Sequence, residues 1–177
     1  MEEKDSFDRA LEKLILRRQR ILDGKINCIP LSFPRLRVWL PGIEKRRYNI
    51  ITANQKVGKS KLADYMLVYE PFFYAIEHPD QLRLKILYFI LEMGKEEKFY
   101  EFLCHLLFRL DRIRISPTDL KSTSADRPVP QEILDLLASE RYQVYIQKFK
   151  ETIIYIDSER NPTGINKYCS NFALSRG

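Results

Sequence analysis

Gly58-Lys59-Ser60 places, in three consecutive residues, the groups that hold a polyphosphate: a backbone with no side chain over it, an ammonium and a hydroxyl. They close the run Ala53-Asn54-Gln55-Lys56-Val57-Gly58-Lys59-Ser60, with Lys61 next, which reads as a phosphate-binding P-loop. In such a loop the backbone N–H groups turn toward the phosphates, and glycine leaves their approach open. Lys59 is expected to reach the outer phosphates and Ser60 to hold Mg2+, so ATP with Mg2+ is the expected ligand pair. The usual pattern opens on glycine where this chain has Ala53, a residue that enters the left-handed region only at a cost.

Two carboxylates end apolar runs. Glu92 follows Leu84–Leu91, and at the end of a buried strand it is placed to position a water for attack on a γ-phosphate. A structural role, capping the next helix or pairing with Lys95 or Lys98, is the alternative. Asp157 follows Thr152–Ile156 and has the bare form of a Walker B magnesium residue. Cys28, Cys104 and Cys169 are odd in number and widely spaced, and His78 and His105 are the only histidines, so neither a disulfide framework nor a zinc site is expected.

The elements that must position these groups follow from periodicity. Tyr48-Asn49-Ile50-Ile51-Thr52 is β-rich, and after the loop Leu62, Met66 and Tyr69 keep helical spacing, which predicts strand, loop and helix in the order a P-loop needs. Pro71 predicts a break or kink before a helix over 72–78, ended by Pro79-Asp80. The nearly continuous apolar run 84–91 suits a strand buried on both faces, and 152–157 is another strand. Helices are predicted over 95–110, 131–150 and from about 163 to 174, with 116–130 loop-like apart from a short turn at 118–121. Alternating strand and helix imply an α/β domain with a mainly parallel sheet. Ahead of it, Ser6–Asp23 is an amphipathic helix with Phe7, Leu11, Leu14, Ile15, Ile21 and Leu22 on one stripe, capped by Asp5 or Ser6 and ended by Gly24. Residues 25–34 carry two prolines and suit an extended crossing, and Pro41-Gly42 suits a turn.

At 177 residues, 45% hydrophobic and 31% charged, the chain supports one globular domain with an arm. No apolar run reaches membrane-spanning length, and the acidic start Met1–Asp5 lacks the layout of a secretory leader, so an intracellular, cytoplasmic protein is expected. The net charge of +6 is uneven: residues 1–60 hold fourteen Lys or Arg against seven Asp or Glu. Clusters such as Arg17-Arg18-Gln19-Arg20 and Lys45-Arg46-Arg47 meet nucleic-acid phosphates, an acidic partner or solvent; without aromatic interleaving, solvent is the default reading.

Several segments together resemble the C-terminal motor domain of DnaB-type hexameric replicative DNA helicases, which are RecA-like P-loop ATPases. They are Ile29-Pro30-Leu31-Ser32-Phe33-Pro34-Arg35-Leu36, Leu40-Pro41-Gly42 with Tyr48–Ala53, and Phe89-Ile90-Leu91-Glu92-Met93-Gly94-Lys95-Glu96-Glu97. Ile115-Ser116-Pro117-Thr118-Asp119-Leu120 and Tyr155-Ile156-Asp157 with Pro162-Thr163-Gly164-Ile165 follow in the same order as in the family. The resemblance implies a linker helix and arm over 1–28 and a partial RecA-like domain over 29–177. It also implies Glu92 as the carboxylate that activates water, with Lys59 as its catalytic companion, and Asp157 on the strand before the true Walker B strand. By the same resemblance the N-terminal helix docks on a neighbouring subunit of a ring hexamer, and single-stranded DNA is bound by the intact protein. The family continues beyond the counterpart of Gly177 into its Walker B strand, DNA-binding loops and arginine finger, so an incomplete sheet with an uncovered edge is expected.

Two other readings stand beside an ATP-driven helicase segment. One is a non-catalytic nucleotide-binding or assembly module that docks on a related ATPase. The other is a small P-loop kinase or other NTPase with Asp157 as its magnesium residue.

Overall fold

The computed structural model describes residues 5–91 and 94–175. The chain divides into two compact units, Met1–Leu84 and Lys85–Gly177.

The first unit begins with α1 (Ser6–Leu22), capped by Asp5. It ends as the sequence predicts at Gly24, whose φ is +71°. Gly24 N–H bonds the Ile21 carbonyl at 3.0 Å and Lys25 N–H that of Arg20 at 2.8 Å, the paired bonds of a Schellman stop. Arg20 also donates to the Ile26 carbonyl and Asn27 to that of Arg17, which fix the arm against the last turns of the helix. No residue of α1 is buried.

Ile29–Pro30 (β1) pairs antiparallel with Gly42–Ile43 (β2), and Pro34–Arg37 (α2) lies between them. Gly42 is therefore a strand residue rather than half of a turn. A Cβ there would lie 2.2 Å from the Ile29 carbonyl oxygen, so the close pairing of the two strands requires glycine.

Lys59–Asp64 (α3), a π-helical turn over Tyr65–Tyr69 and Glu70–Glu77 (α4) form one uninterrupted helical run. The break expected at Pro71 is absent. A proline has no N–H to give, and the ladder adjusts just before it by a wider turn in which Glu70 N–H bonds the Tyr65 carbonyl. Met66, Val68, Tyr69, Phe72 and Phe73 are the apolar core of this run, while Leu62, which keeps helical spacing with Met66 and Tyr69, is 42% exposed.

Tyr48–Thr52, expected as the first strand, forms no regular secondary structure. A strand gains its hydrogen bonds only from a neighbour, and no strand pairs with this segment among the described residues. Tyr48 and Ile50 are accordingly 90% and 70% exposed.

In the second unit, Ile86–Phe89 (β3) and Ile153–Ile156 (β4) pair in parallel, with Ile86 opposite Ile153 and Phe89 opposite Ile156. Among the described residues the sheets have two strands each, one antiparallel and one parallel, in place of a single mainly parallel sheet. The residues of β3 are half-buried rather than covered on both faces.

Lys95–Asp111 (α5) matches its predicted span, and the predicted turn at 118–121 is α6 (Pro117–Leu120), capped by Ser116. The single helix expected over 131–150 is two, α7 (Gln131–Ala138) and α8 (Glu140–Thr152). Ser139 separates them: its backbone is extended, and its hydroxyl donates to the Leu136 carbonyl and so competes with the ladder. Pro162–Leu174 (α9) starts from an Asn161 cap.

The core of this unit centres on Phe102 and Phe149, stacked with ring centroids 3.5 Å apart, and on Leu106, Leu107, Tyr142 and Ile146. Tyr142 donates to Asp111 at 2.5 Å, and Arg141 grips the same carboxylate at 2.9 and 3.2 Å, clamping the start of α8 to the end of α5. Those hydrogen bonds, from Tyr142 first and then Arg141, hold the Asp111 carboxyl below its usual range. Burial first, and then the Asp111 carboxylate, push the Tyr142 phenol upward.

Candidate phosphate-binding loop

Ala53–Val57 runs without regular structure into Gly58, the residue that caps α3. Lys56 has φ of +60° and Gly58 of +86°, so the chain turns twice through the left-handed region before the helix begins. Glycine adopts that backbone freely, whereas Lys56 does so at a cost of about 1 kcal/mol or more. Ala53 is not among the positive-φ residues. Its departure from the usual opening glycine therefore carries no left-handed strain.

Lys59 and Ser60 are the first two residues of α3. The first helical bond after Gly58 runs from Leu62 N–H to the Gly58 carbonyl at 2.9 Å, so the N–H groups of Lys59 and Ser60 stand ahead of the ladder at the positive end of the helix. A Cβ built on Gly58 meets nothing within 4 Å, which leaves the space in front of the loop open. Residues 52–62, and so the whole predicted site from Ala53 to Lys61, are exposed. The residues present thus fit an anionic ligand: a turn through two positive-φ residues, donors at a helix start, and cations at Lys56, Lys59 and Lys61.

Glu92 lies outside the described residues. The two lysines that a structural role would have given it have other partners: Lys95 pairs with Asp157 at 2.8 Å, and Lys98 with Glu101 at 3.2 Å. The second pair is buried, and the Lys98 ammonium also stands 5.5 Å from the Tyr88 ring centroid. Asp157 follows β4, and its hydrogen bond from Lys95 holds the carboxyl below its usual range.

Cys28, Cys104 and Cys169 are free thiols, and burial, followed by the charge of Glu44, raises the Cys28 thiol. Among the described residues no group of three or more His, Cys, Asp and Glu is arranged to hold a metal ion. A magnesium ion at a P-loop draws on one hydroxyl and phosphate oxygens instead, so such a group is not what that chemistry requires. No helix of the described residues is long and apolar enough to cross a membrane.

No protein-family model, curated protein or solved structure matches this chain.

Two features escaped sequence reasoning. Asp64, one turn beyond Ser60, is only 2% exposed, a buried carboxylate on the helix that carries the loop. Helical periodicity finds apolar stripes, and a carboxylate within one leaves no such signal. The other is the display of Trp39 and Tyr48, 85% and 90% exposed, on either side of Lys45-Arg46-Arg47. The cluster itself lacks aromatic interleaving, and the exposure of the two rings that flank it in the chain leaves no signal in the sequence.

Proposed function

We propose that this chain is an ATP-binding segment of the RecA-like motor of a replicative DNA helicase of the DnaB type. The observation that carries the reading is the left-handed Gly58 leading directly into Lys59 and Ser60 at a helix start. ATP with Mg2+ would supply the phosphoryl group whose transfer to water drives such a motor. The Lys59 ammonium would meet the outer phosphates, the N–H groups of the loop would orient them, and the Ser60 hydroxyl would ligate the metal. Glu92 would hold the attacking water. The parallel pairing of β3 with β4, in the chain order that the resemblance implies, supports the same assignment. So does α1: Phe7, Leu14, Ile15 and Leu22 are each more than half exposed, which suits a helix that self-associates in a ring.

A second reading, a nucleotide-binding or assembly module without turnover, is favoured by one observation. Tyr48–Thr52 is unpaired among the described residues, so the loop lacks the strand that would anchor it from behind. Binding and turnover of MgATP by the wild type, Lys59→Ala and Glu92→Gln separate the readings. The helicase reading expects wild-type turnover, binding weakened about tenfold or more by Lys59→Ala, which removes a charge-assisted contact, and binding without turnover in Glu92→Gln. Binding without turnover in the wild type supports the module, and no binding by any of the three refutes both.

A further inference from the structure

Within the second unit, the end of α5 and the loop after it form an open cleft of about 360 Å³. Small-molecule sites run from roughly 300 to 1,000 Å³, so the volume suits a small organic body. The lining residues are Cys104, Phe108, Ile113, Arg114, Ile115 and Ser116, and no carboxylate is among them.

Both ends of the loop are held by the chain's own hydrogen bonds. Arg112 ends α5 at φ of +59°; its N–H bonds the Phe108 carbonyl at 3.1 Å, and Ile113 N–H bonds that of Leu107 at 3.3 Å. Such bonds stop a helix and turn the chain out of it. At the other end Ser116 caps α6: its hydroxyl accepts from Asp119 N–H at 3.1 Å and donates to the Asp119 carboxylate at 2.6 Å. The rim is therefore formed before any ligand arrives, as in most small-molecule sites.

Charge narrows the ligand. Phe108 is 37% exposed, and two guanidinium groups stand over its ring, Arg112 at 5.4 Å and Arg114 at 5.9 Å from the centroid. Among the described residues neither guanidinium is paired with a carboxylate. The nearest acids in the chain are engaged, Asp111 by Tyr142 and Arg141 and Asp119 by Ser116. Two like charges over one ring without a counter-charge favour an anion.

We infer that this cleft binds a small aromatic carboxylate, its ring against Phe108 and its carboxylate on the Arg114 guanidinium. Phenyl and guanidinium planes both stack flat bodies, and the guanidinium fork matches a carboxylate. Ile113 and Ile115 supply apolar wall. An aliphatic acid fills the same space without using either plane. The inference goes beyond the proposed function and does not rest on it, since no residue of the P-loop takes part.

The isotope-labelled full chain is titrated with naphthoate, in the absence of nucleotide, and its backbone amide NMR signals are followed. The expected result is saturable movement concentrated in residues 104–116, with a Kd below about 1 mM. Naphthylmethanol, which lacks the charge, and octanoate, which lacks the plane, each bind about tenfold more weakly or worse. Arg114→Gln removes the charge and weakens naphthoate about tenfold while leaving naphthylmethanol unchanged. Phe108→Ala weakens both aromatic ligands. Arg114 and Phe108 are exposed, so these variants fold, which the same spectra check.

Signals that stay in place up to about 5 mM naphthoate overturn the inference, as does movement confined to residues outside 104–116. Octanoate that binds as tightly as naphthoate overturns the aromatic class, and undiminished affinity in Arg114→Gln overturns the seat of the carboxylate. Because nucleotide is absent and the readout is local, failure of the ATP site leaves this result standing. A chain that binds MgATP but not naphthoate overturns this inference alone.

Discussion

Replacing Gly58 with alanine separates two reasons why a glycine stands at the mouth of the loop. Its φ of +86° and ψ of +16° lie where an L residue incurs about 1–2 kcal/mol. Alanine also restricts the unfolded chain, which returns about 0.4–1 kcal/mol. Nothing lies within 4 Å of the new Cβ, so no clash adds to the balance, and the net loss of folding stability is about 1 kcal/mol. Gly42→Ala is the opposite case. Its φ is not positive, but the Cβ falls 2.2 Å from a backbone oxygen, which moves only if β1 and β2 separate, so it costs more than Gly58→Ala. Gly58→Asn completes the set, since asparagine tolerates the left-handed backbone better than alanine and still fills the space before the loop. Urea denaturation followed by far-ultraviolet circular dichroism measures the stabilities, and titration with a fluorescent ATP analogue and Mg2+ measures the site. The expected order of stability is wild type, Gly58→Asn, Gly58→Ala, Gly42→Ala, with nucleotide binding weakened in both Gly58 variants. A Gly58→Ala protein as stable as the wild type refutes the conformational argument, and undiminished MgATP binding in both Gly58 variants refutes the loop as the phosphate site.

Two further outcomes test the second unit. Phe102→Ala removes a fully buried ring stacked on Phe149 and is expected to cost about 3–5 kcal/mol; a loss below about 1 kcal/mol in urea denaturation shows that the stack is not the centre of the core. The Asp111 carboxyl titrates below its unfolded value of about 3.9, so its contribution is fully present above that pH and is lost as pH falls through the lower folded value. Asp111→Asn should therefore lower Tm at neutral pH and flatten its decline below about pH 4, and a variant with the wild-type acid profile excludes this clamp as an acid-sensitive element.

What the chain determines locally was legible in its sequence. Asp5 and Gly24 mark helix boundaries where the structure has them, because a cap or a Schellman stop is made within a few residues of its own position. Ser139 and Pro71 show the limit even at that range. A serine between two apolar stripes reads as helix until its hydroxyl turns back on the ladder, and a proline reads as a break until a π turn accommodates it. For the candidate site, the order Gly58-Lys59-Ser60 was in the sequence, whereas the freedom of Ala53 from left-handed strain and the burial of Asp64 were not. Strands belong wholly to the tertiary structure. The apolar runs at 86–89 and 153–156 become β3 and β4 because each finds the other across more than sixty residues of chain, while Tyr48–Thr52, with an equally β-rich sequence, finds no partner among the described residues and takes no regular secondary structure. A helix closes its hydrogen bonds on itself four residues away; a strand must borrow them from a neighbour, and no stretch of sequence read alone says whether that neighbour is there.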